Sequence, residues 1–397
     1  MRPRVCPVCH SPEAESIFSY VPRDFDQHAF ADRAVYRACR TCGMLFVDLG
    51  VSPDELVAFY ATASLYEAPT GFGTGGATPA DLERYGWYGL LLEQSGVSKD
   101  GVLVDVGCGK GTFLETLRQR GFARVHGVDV DPRLVEIGRS GRGLSLAVGS
   151  AETIPHADGA LDAVTSFHVL EHLDDVGSAL REVARVLRPG GVFLVEVPDA
   201  SKYAAERVFD FFWVGMKEHV NHFTPTTLRE VLGRHGLRVT SMRQTRQRIF
   251  GEFHYPSLSA VCSNDAAHPH TPEAFDADGV RSFVDHVRAE TARSEERAVG
   301  LRALLRSGRP VSCWGISQEF FNLRRFADLD PMRLCALYDR SALKAKLTVA
   351  GLPIAHPDGI PMDSSELTLV LTSAFHGPAM ERELIRRGFR GSVHRIG

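Results

Sequence analysis

Four cysteines near the start of the chain form two pairs of identical spacing, Cys6-Pro-Val-Cys9 and Cys39-Arg-Thr-Cys42. Each pair can fold as a knuckle that aims two thiolates at one ion, and two knuckles complete the tetrahedral sulfur set that zinc prefers. The 29 residues between Cys9 and Cys39 exceed what a compact ribbon needs, so an inserted strand pair is expected at about 13–35. Four thiolates leave no open position for water or substrate, so the expected Zn2+ is structural and holds together a segment with little core of its own. His10 is not needed to complete the set. Cys108, Cys262, Cys313 and Cys335 stand singly and read as buried small apolar residues.

A second set of residues suits a nucleotide-like ligand. Val102-Leu-Val-Asp-Val106 is a short β-branched run that breaks at Gly107-Cys-Gly-Lys-Gly111 and continues into the apolar positions Phe113, Leu114 and Leu117. A strand, a glycine turn and a helix bring backbone N–H groups close to a ligand. Val125-His-Gly-Val-Asp129 then ends in a carboxylate, where a strand-end acid can take both hydroxyls of a ribose. Asp131-Pro132 is the better helix start, which leaves Asp129 for the ligand. A third set is imidazole-rich: His172, at the end of His168-Val-Leu-Glu-His172, and His219 and His222 in Glu218-His-Val-Asn-His222. Histidine is the side chain whose ordinary pKa suits proton removal near neutrality.

The elements that must position these groups alternate. Strands are expected at 102–106, 125–129, 161–167 and 192–197. Helices are expected at 53–60, 81–95, after Gly111 and from about 178 to 187, and a turn at Arg188-Pro-Gly-Gly191. The stretch from Pro69 to Pro79 carries four glycines and both terminal prolines, which is loop chemistry. Thr224 or Thr226 can cap a helix that follows His222. Farther on, 275–307 reads as a charged helix. Pro310–Gly315, Leu334–Asp339, Leu367–Thr372 and Ser392–Ile396 read as strands of a second α/β unit with one glycine in its turn and a helix at Glu319–Phe326. A chain of 397 residues needs more than one core. Its net charge of −4 lacks the basic footprint of a nucleic-acid binder, and no apolar run is long enough to span a bilayer. With no secretory signal at MRPRVCPVCH, a cytoplasmic location is expected.

The series Asp105–Gly111, Asp129, Ser150-Ala-Glu152, Leu161-Asp162 and Arg188-Pro-Gly-Gly191 resembles the class I S-adenosylmethionine-dependent methyltransferases in order and spacing. The resemblance implies that Gly107 and Gly109 approach the amino-acid end of S-adenosyl-L-methionine, Asp129 its ribose, and Ala151 with Glu152 its adenine, with Asp105 and Phe167 in the same cofactor-binding set. A nicotinamide-binding Rossmann fold also wants glycines and a ribose carboxylate. The Arg-Pro-Gly-Gly turn and Glu171-His172 favour the methyltransferase.

The order of the whole chain resembles a narrower family, the nucleotide-sugar C-methyltransferases that act beside the ketone of a keto-deoxysugar. The resemblance implies an α/β chain of four parts: a zinc-binding segment at 1–60, a class I Rossmann-like domain at 61–250, a connecting helical segment at 251–308 and a C-terminal Rossmann-like domain at 309–397. It implies catalytic roles for His219 as base, Glu218 and His172, with Tyr66 toward the substrate; His222 is either a further substrate contact or a packed histidine before the helix. Where that family often has a tyrosine two residues before the glutamate, this chain has Met216. The expected partner is a small molecule, a nucleotide-sugar, with no nucleic acid and no membrane, for a monomer or homodimer. Alternatives are an O- or N-methyltransferase of a sugar or another natural-product intermediate, and a zinc-containing binding protein with a vestigial donor fold.

Overall fold

The computed structural model describes every residue except 1–2, 29–30, 32, 64–75, 207, 251–252, 266, 268, 331–332 and 397. Two compact units are present: Met1–Ser19, Val35–Glu206 and Glu218–Phe283 in the first, Tyr20–Ala34, Arg207–Lys217 and Val284–Gly397 in the second. These units do not follow the four consecutive parts expected from the sequence. Two aromatic anchors give the reason within the second unit. Phe25 packs edge-on against Phe321 at 5.1 Å, and Phe211 lies tilted against Phe326 at 4.9 Å, so 20–34 and 207–217 belong to the C-terminal core.

The first unit runs β1 (Ala14–Tyr20), β2 (Ala34–Cys39), β3 (Leu45–Asp48), β4 (Val102–Val106), β5 (Arg124–Asp129), β6 (Ser145–Val148), β7 (Leu161–Phe167), β8 (Leu187–Pro198), β9 (Asn221–His222), β10 (Leu237–Phe250) and β11 (Phe253–Asn264). The expected strand pair at 13–35 is instead one strand, β1, with its neighbour β2 starting at Ala34. β4, β5, β6, β7 and β8 form the parallel part of a seven-stranded sheet ordered β10-β11-β8-β7-β4-β5-β6. Their side chains are buried on both faces, as a sheet covered by helices requires: Leu103, Val104, Val164, Phe193, Leu194 and Val195 have no exposed surface. β11 lies antiparallel between β8 and β10. This corrects the connecting role expected for 251–308, of which only Ala277–Arg306 is helical. β8 also takes in Arg188-Pro-Gly-Gly191, which the sequence reading placed ahead of the strand.

The helices on this sheet start where local chemistry allows. Pro79–Gln94 opens with a reciprocal box between Thr78 and Asp81 and Pro79 in its first turn. Pro132–Arg142 is capped by Asp131, and Pro225–Arg234 by Thr224 with Thr227. From β4 the chain winds outward through β5 and β6, then crosses to β7 on the other side of β4. That reversal opens a crevice at the carboxyl ends of β4 and β7, where ligands of open α/β sheets bind. Among the described residues, no helix is long and apolar enough to cross a membrane.

The second unit holds β12 (Val311–Trp314), β13 (Leu337–Tyr338), β14 (Thr348–Val349), β15 (Leu352–Ala355), β16 (Thr368–Leu371) and β17 (Ser392–Arg395), in the order β14-β15-β13-β12-β16-β17. All pairings but β14 with β15 are parallel. It is a second Rossmann-like α/β sheet, with β13 shorter than the expected 334–339.

Candidate active site

The turn after β4 is built from glycines because nothing else fits. Gly107 has φ +76°, and a Cβ there would stand 2.3 Å from Val169 Cγ2. Its N–H donates to Val128 O on the neighbouring β5 at 2.8 Å, tying the turn to the strand that ends in Asp129. Asp129 is buried and accepts from Gly109 N–H at 2.7 Å and Asp131 N–H at 2.9 Å. Burial pushes its carboxyl upward. The cap of the next helix is Asp131, which accepts from Arg133 N–H at 2.9 Å. Asp105, directly below the turn, is pushed up to about 7 by burial and accepts from Thr165 Oγ1 at 2.6 Å. It therefore straps β4 to β7 from inside the sheet. Asp162 is likewise engaged in the sheet, by Val102 N–H at 2.8 Å and Arg188 at 2.8 Å. Ala151 is buried and Glu152 half-buried beside the Ser150–Thr153 bridge. Phe167, at the end of β7, stacks on Tyr88 with 3.9 Å between ring centroids.

Beyond Phe167 lies a charge cluster that the sequence reading missed. His168 has φ +56°, an unusual conformation for a residue with a side chain. Its ring sits between two carboxylates with no exposed surface, Nδ1 at 3.1 Å from Glu171 and Nε2 at 3.3 Å from Glu196. Burial opposes its charge, but its hydrogen bond to the Glu171 carboxylate and the nearby Glu196 carboxylate win and raise the imidazole to about 9. The Tyr88 hydroxyl donates to Glu196, and Tyr255 meets the His168 ring edge-on at 5.0 Å. One signal was available: Glu196 is the lone charge in Val192-Phe-Leu-Val-Glu-Val197.

His172 and His219 come together from positions far apart in sequence. Their rings meet edge-to-face with centroids 4.8 Å apart, and a donor atom from each lies within 4.8 Å of a Glu171 carboxylate oxygen. His172 Nδ1 is 3.0 Å from Glu218 O; a carbonyl only accepts, so Nδ1 carries a proton. His219 is buried, and its Nδ1 has no hydrogen-bond partner among the described residues. Burial, with the neighbouring His172, holds it well below the usual histidine value, so it is neutral at pH 7. Glu218 contributes its carbonyl here, and its side chain is half-buried. His222 does not join this pair. It is fully enclosed, with its ring 5.4 Å from Tyr36, 5.9 Å from Tyr203 and 5.4 Å from Phe283. Its Nδ1 is 3.2 Å from the Tyr203 hydroxyl. Tyr66 lies outside the described residues.

The four N-terminal thiols converge. One sulfur from each of Cys6, Cys9, Cys39 and Cys42 lies within 4.8 Å of the others, with Cys6–Cys42 at 3.6 Å and Cys9–Cys39 at 3.5 Å. A tetrahedral site with Zn–S bonds of about 2.3 Å has sulfurs roughly 3.8 Å apart, so the set fits. Backbone N–H groups of Cys9 and Thr41 point at the Cys6 and Cys39 sulfurs at 3.5 and 3.4 Å, as in a thiolate knuckle.

Comparison with known proteins bears on the sheet that carries this geometry. Residues 84–242 match the family described as Methyltransferase domain. The sheet of the first unit has the α/β fold of the class I methyltransferases. The malonyl-[acyl-carrier protein] O-methyltransferase of Serratia marcescens is 35% identical over 127 residues, 32% of this chain and 49% of that one. The C-methyltransferase NovU of Streptomyces niveus is 26% identical over 210 residues, 51% of this chain and 46% of that one. The chain thus spans less than half the length of either relative. A crystal structure of an S-adenosylmethionine-dependent methyltransferase from Mesorhizobium loti is similar over 46% of this chain and 99% of that one, at 18% identity and a TM-score of 0.39.

Proposed function

We propose that this chain is an S-adenosylmethionine-dependent C-methyltransferase that acts beside the ketone of a nucleotide-linked keto-deoxysugar. The observation that carries the reading is His219, a buried neutral imidazole whose Nδ1 has no hydrogen-bond partner among the described residues, set against His172. A hydrogen on carbon next to a ketone is acidic enough for a positioned histidine to take. His219 accepts that proton, and the Glu171 carboxylate within 4.8 Å offsets the imidazolium that forms. The enolate carbon then attacks the sulfonium methyl in line, so the domain's share is positioning. The donor would lie on the glycine turn, with Gly107 and Gly109 at its amino-acid end, Asp129 at the ribose and Ala151 with Glu152 at the adenine. The resemblance of the whole chain to nucleotide-sugar C-methyltransferases and the match to NovU support the choice of carbon.

His219→Ala is expected to leave donor binding intact and to cut turnover about 10²- to 10⁴-fold, the range for a lost general base. Exchange of the substrate's α-proton with deuterated water, followed by mass spectrometry without donor, isolates the step. Exchange as fast as in the wild type would move the base to His172. A second reading, methyl transfer to oxygen or nitrogen, is favoured by Met216 in place of the family's tyrosine and by the match to an O-methyltransferase. A wild type that exchanges no carbon-bound proton yet methylates oxygen or nitrogen would establish it.

One structural Zn2+ per chain, held by Cys6, Cys9, Cys39 and Cys42, belongs to the same proposal. Metal analysis is expected to find one zinc, and Cys39→Ser to lose it together with thermal stability.

A further inference from the structure

Each of the two site histidines is followed by a residue whose backbone carbonyl is gripped by the same side chain. Arg4 donates from Nη2 to Leu173 O at 3.1 Å and from Nη1 to Val220 O at 2.8 Å. Leu173 follows His172 and Val220 follows His219. The same guanidinium also reaches Asp174 O at 2.7 Å, Asn221 Oδ1 at 3.0 Å and Val47 O at 3.3 Å, and its Nε pairs with the Asp174 carboxylate at 2.9 Å. Its face lies over Phe46 of β3 at 5.8 Å. The Arg4 side chain is only 11% exposed, so these bonds act with little competition from water.

The two loops are also joined directly, by His172 Nδ1 donating to Glu218 O at 3.0 Å. Val220 N–H donates to Glu171 O at 2.8 Å, and Asn221 Nδ2 donates to Leu170 O at 2.8 Å and Leu173 O at 2.7 Å. Arg4 adds the planar fork that spans both loops and β3 at once, a geometry that lysine does not reproduce. Its own place is fixed two residues later by Cys6, whose N–H donates to Ser11 O at 3.0 Å and whose sulfur belongs to the four-thiol set.

We propose that Arg4 is a positioning residue that sets the distance between His172 and His219, and that the four-cysteine site acts on the reaction through it. The proposal rests on the function given above for the consequence to catalysis, while the arrangement of the two rings can be read without any turnover. The N-terminal metal segment is then part of the acceptor site, as the anchor of the one side chain that clasps both histidine loops.

Arg4→Ala and Arg4→Lys in the full chain provide the test, with zinc content and S-adenosylhomocysteine affinity measured alongside. Expected are unchanged zinc and unchanged donor affinity, loss of the imidazole–imidazole cross-peak between His172 and His219 in nuclear magnetic resonance spectra, and a fall in kcat of about 10²-fold with little change in donor KM. Arg4→Lys should fall nearly as far, and added guanidinium ion should restore part of the rate to Arg4→Ala. Removing zinc with a chelator should abolish the same cross-peak while donor affinity persists. Retention of the cross-peak in both variants overturns the proposal. Should Arg4→Ala lose zinc, donor binding and thermal stability together, Asp174→Asn, which loosens Arg4 without touching the cysteine segment, decides: a weakened cross-peak supports the proposal and an unchanged one overturns it. Should the wild type turn over no keto-sugar, the cross-peak still decides the role of Arg4, and only the proposed reaction falls.

Discussion

The chain contains two glycine turns that open from the first strand of a parallel sheet toward an acid at the end of the second, and the two are finished differently. In the first unit, the turn after β4 has Gly107, Gly109 and Gly111 at φ +76°, +54° and +76°, and Asp129 accepts only backbone N–H groups. Among the described residues no cation pairs with Asp129. In the second unit, the turn after β12 has Gly315 alone at φ +102°, and Asp339 accepts from Ile316 N–H, Ser341 N–H and Lys344 Nζ, each at 2.9 Å. Lys344 neutralises Asp339 from within the protein. Two sheets of one topology thus differ in where the acid's charge is spent: Asp339 on its own fold, Asp129 held in an electrostatically open position that a ligand can complete. Topology alone does not make a donor site.

Glycine replacement is the harshest way to break this comparison. Gly107→Ala imposes a left-handed conformation costing about 1–3 kcal/mol and sets a methyl 2.3 Å from Val169 Cγ2. Val169 is short and branched, so the turn itself must move, and calorimetric binding of S-adenosylhomocysteine is expected to vanish. Gly315→Ala meets Met380 Cε at 3.1 Å, the far end of a flexible side chain. It should lower thermal stability and leave donor affinity where it was. Equal loss of donor binding in both would end the distinction.

Removing the acids is the next test in size. Asp129→Ala deletes a charged acceptor whose two hydrogen bonds to the ribose are worth roughly 1.5–3 kcal/mol each, so donor Kd should rise about 10²- to 10⁴-fold. Asp339→Ala leaves Lys344 without its partner and should cost stability only. Unchanged affinity in Asp129→Ala would refute the ribose role.

The donor half of the first unit was legible because each of its elements carries a local signal: β-branched runs buried on both faces, glycines at positive φ, Asp131-Pro132 and Thr224-Pro225 at helix starts. β11 was not. Phe253–Asn264 contains Pro256 and small residues such as Ser257, Ser259 and Cys262, and it becomes a strand because β8 and β10 flank it on either side. The pairing of His172 with His219 depends on the two-residue bridge between β3 and β9 and on Val220 N–H reaching Glu171, contacts without a local sequence signature. The position of His168 depends on a left-handed backbone that only the surrounding carboxylates explain. Unit boundaries were illegible for the same reason. Phe25 and Phe211 are ordinary aromatic residues until the core that receives them is known.

The smallest expected effect concerns the carboxyls that the two units share in kind. Asp105 and Glu319 are both pushed up to about 7 by burial, and each has one oxygen accepting a hydrogen bond, from Thr165 Oγ1 at 2.6 Å and from Ala374 N–H at 2.9 Å. Their ordinary values are 3.8 and 4.5, so between these and about 7 the folded chain holds protons that the unfolded chain has released. Stability from either group is fully present below the ordinary value and is lost as pH rises through about 7. Asp105→Asn and Glu319→Gln keep the accepting oxygen and remove the ionisation. Each variant should therefore gain on the order of 1 kcal/mol relative to the wild type at about pH 8, and show little or no gain at about pH 4. Denaturant unfolding at the two pH values reads the difference. A gain that is the same at both pH values would show that the amides act through packing and that neither carboxyl is held neutral by the fold.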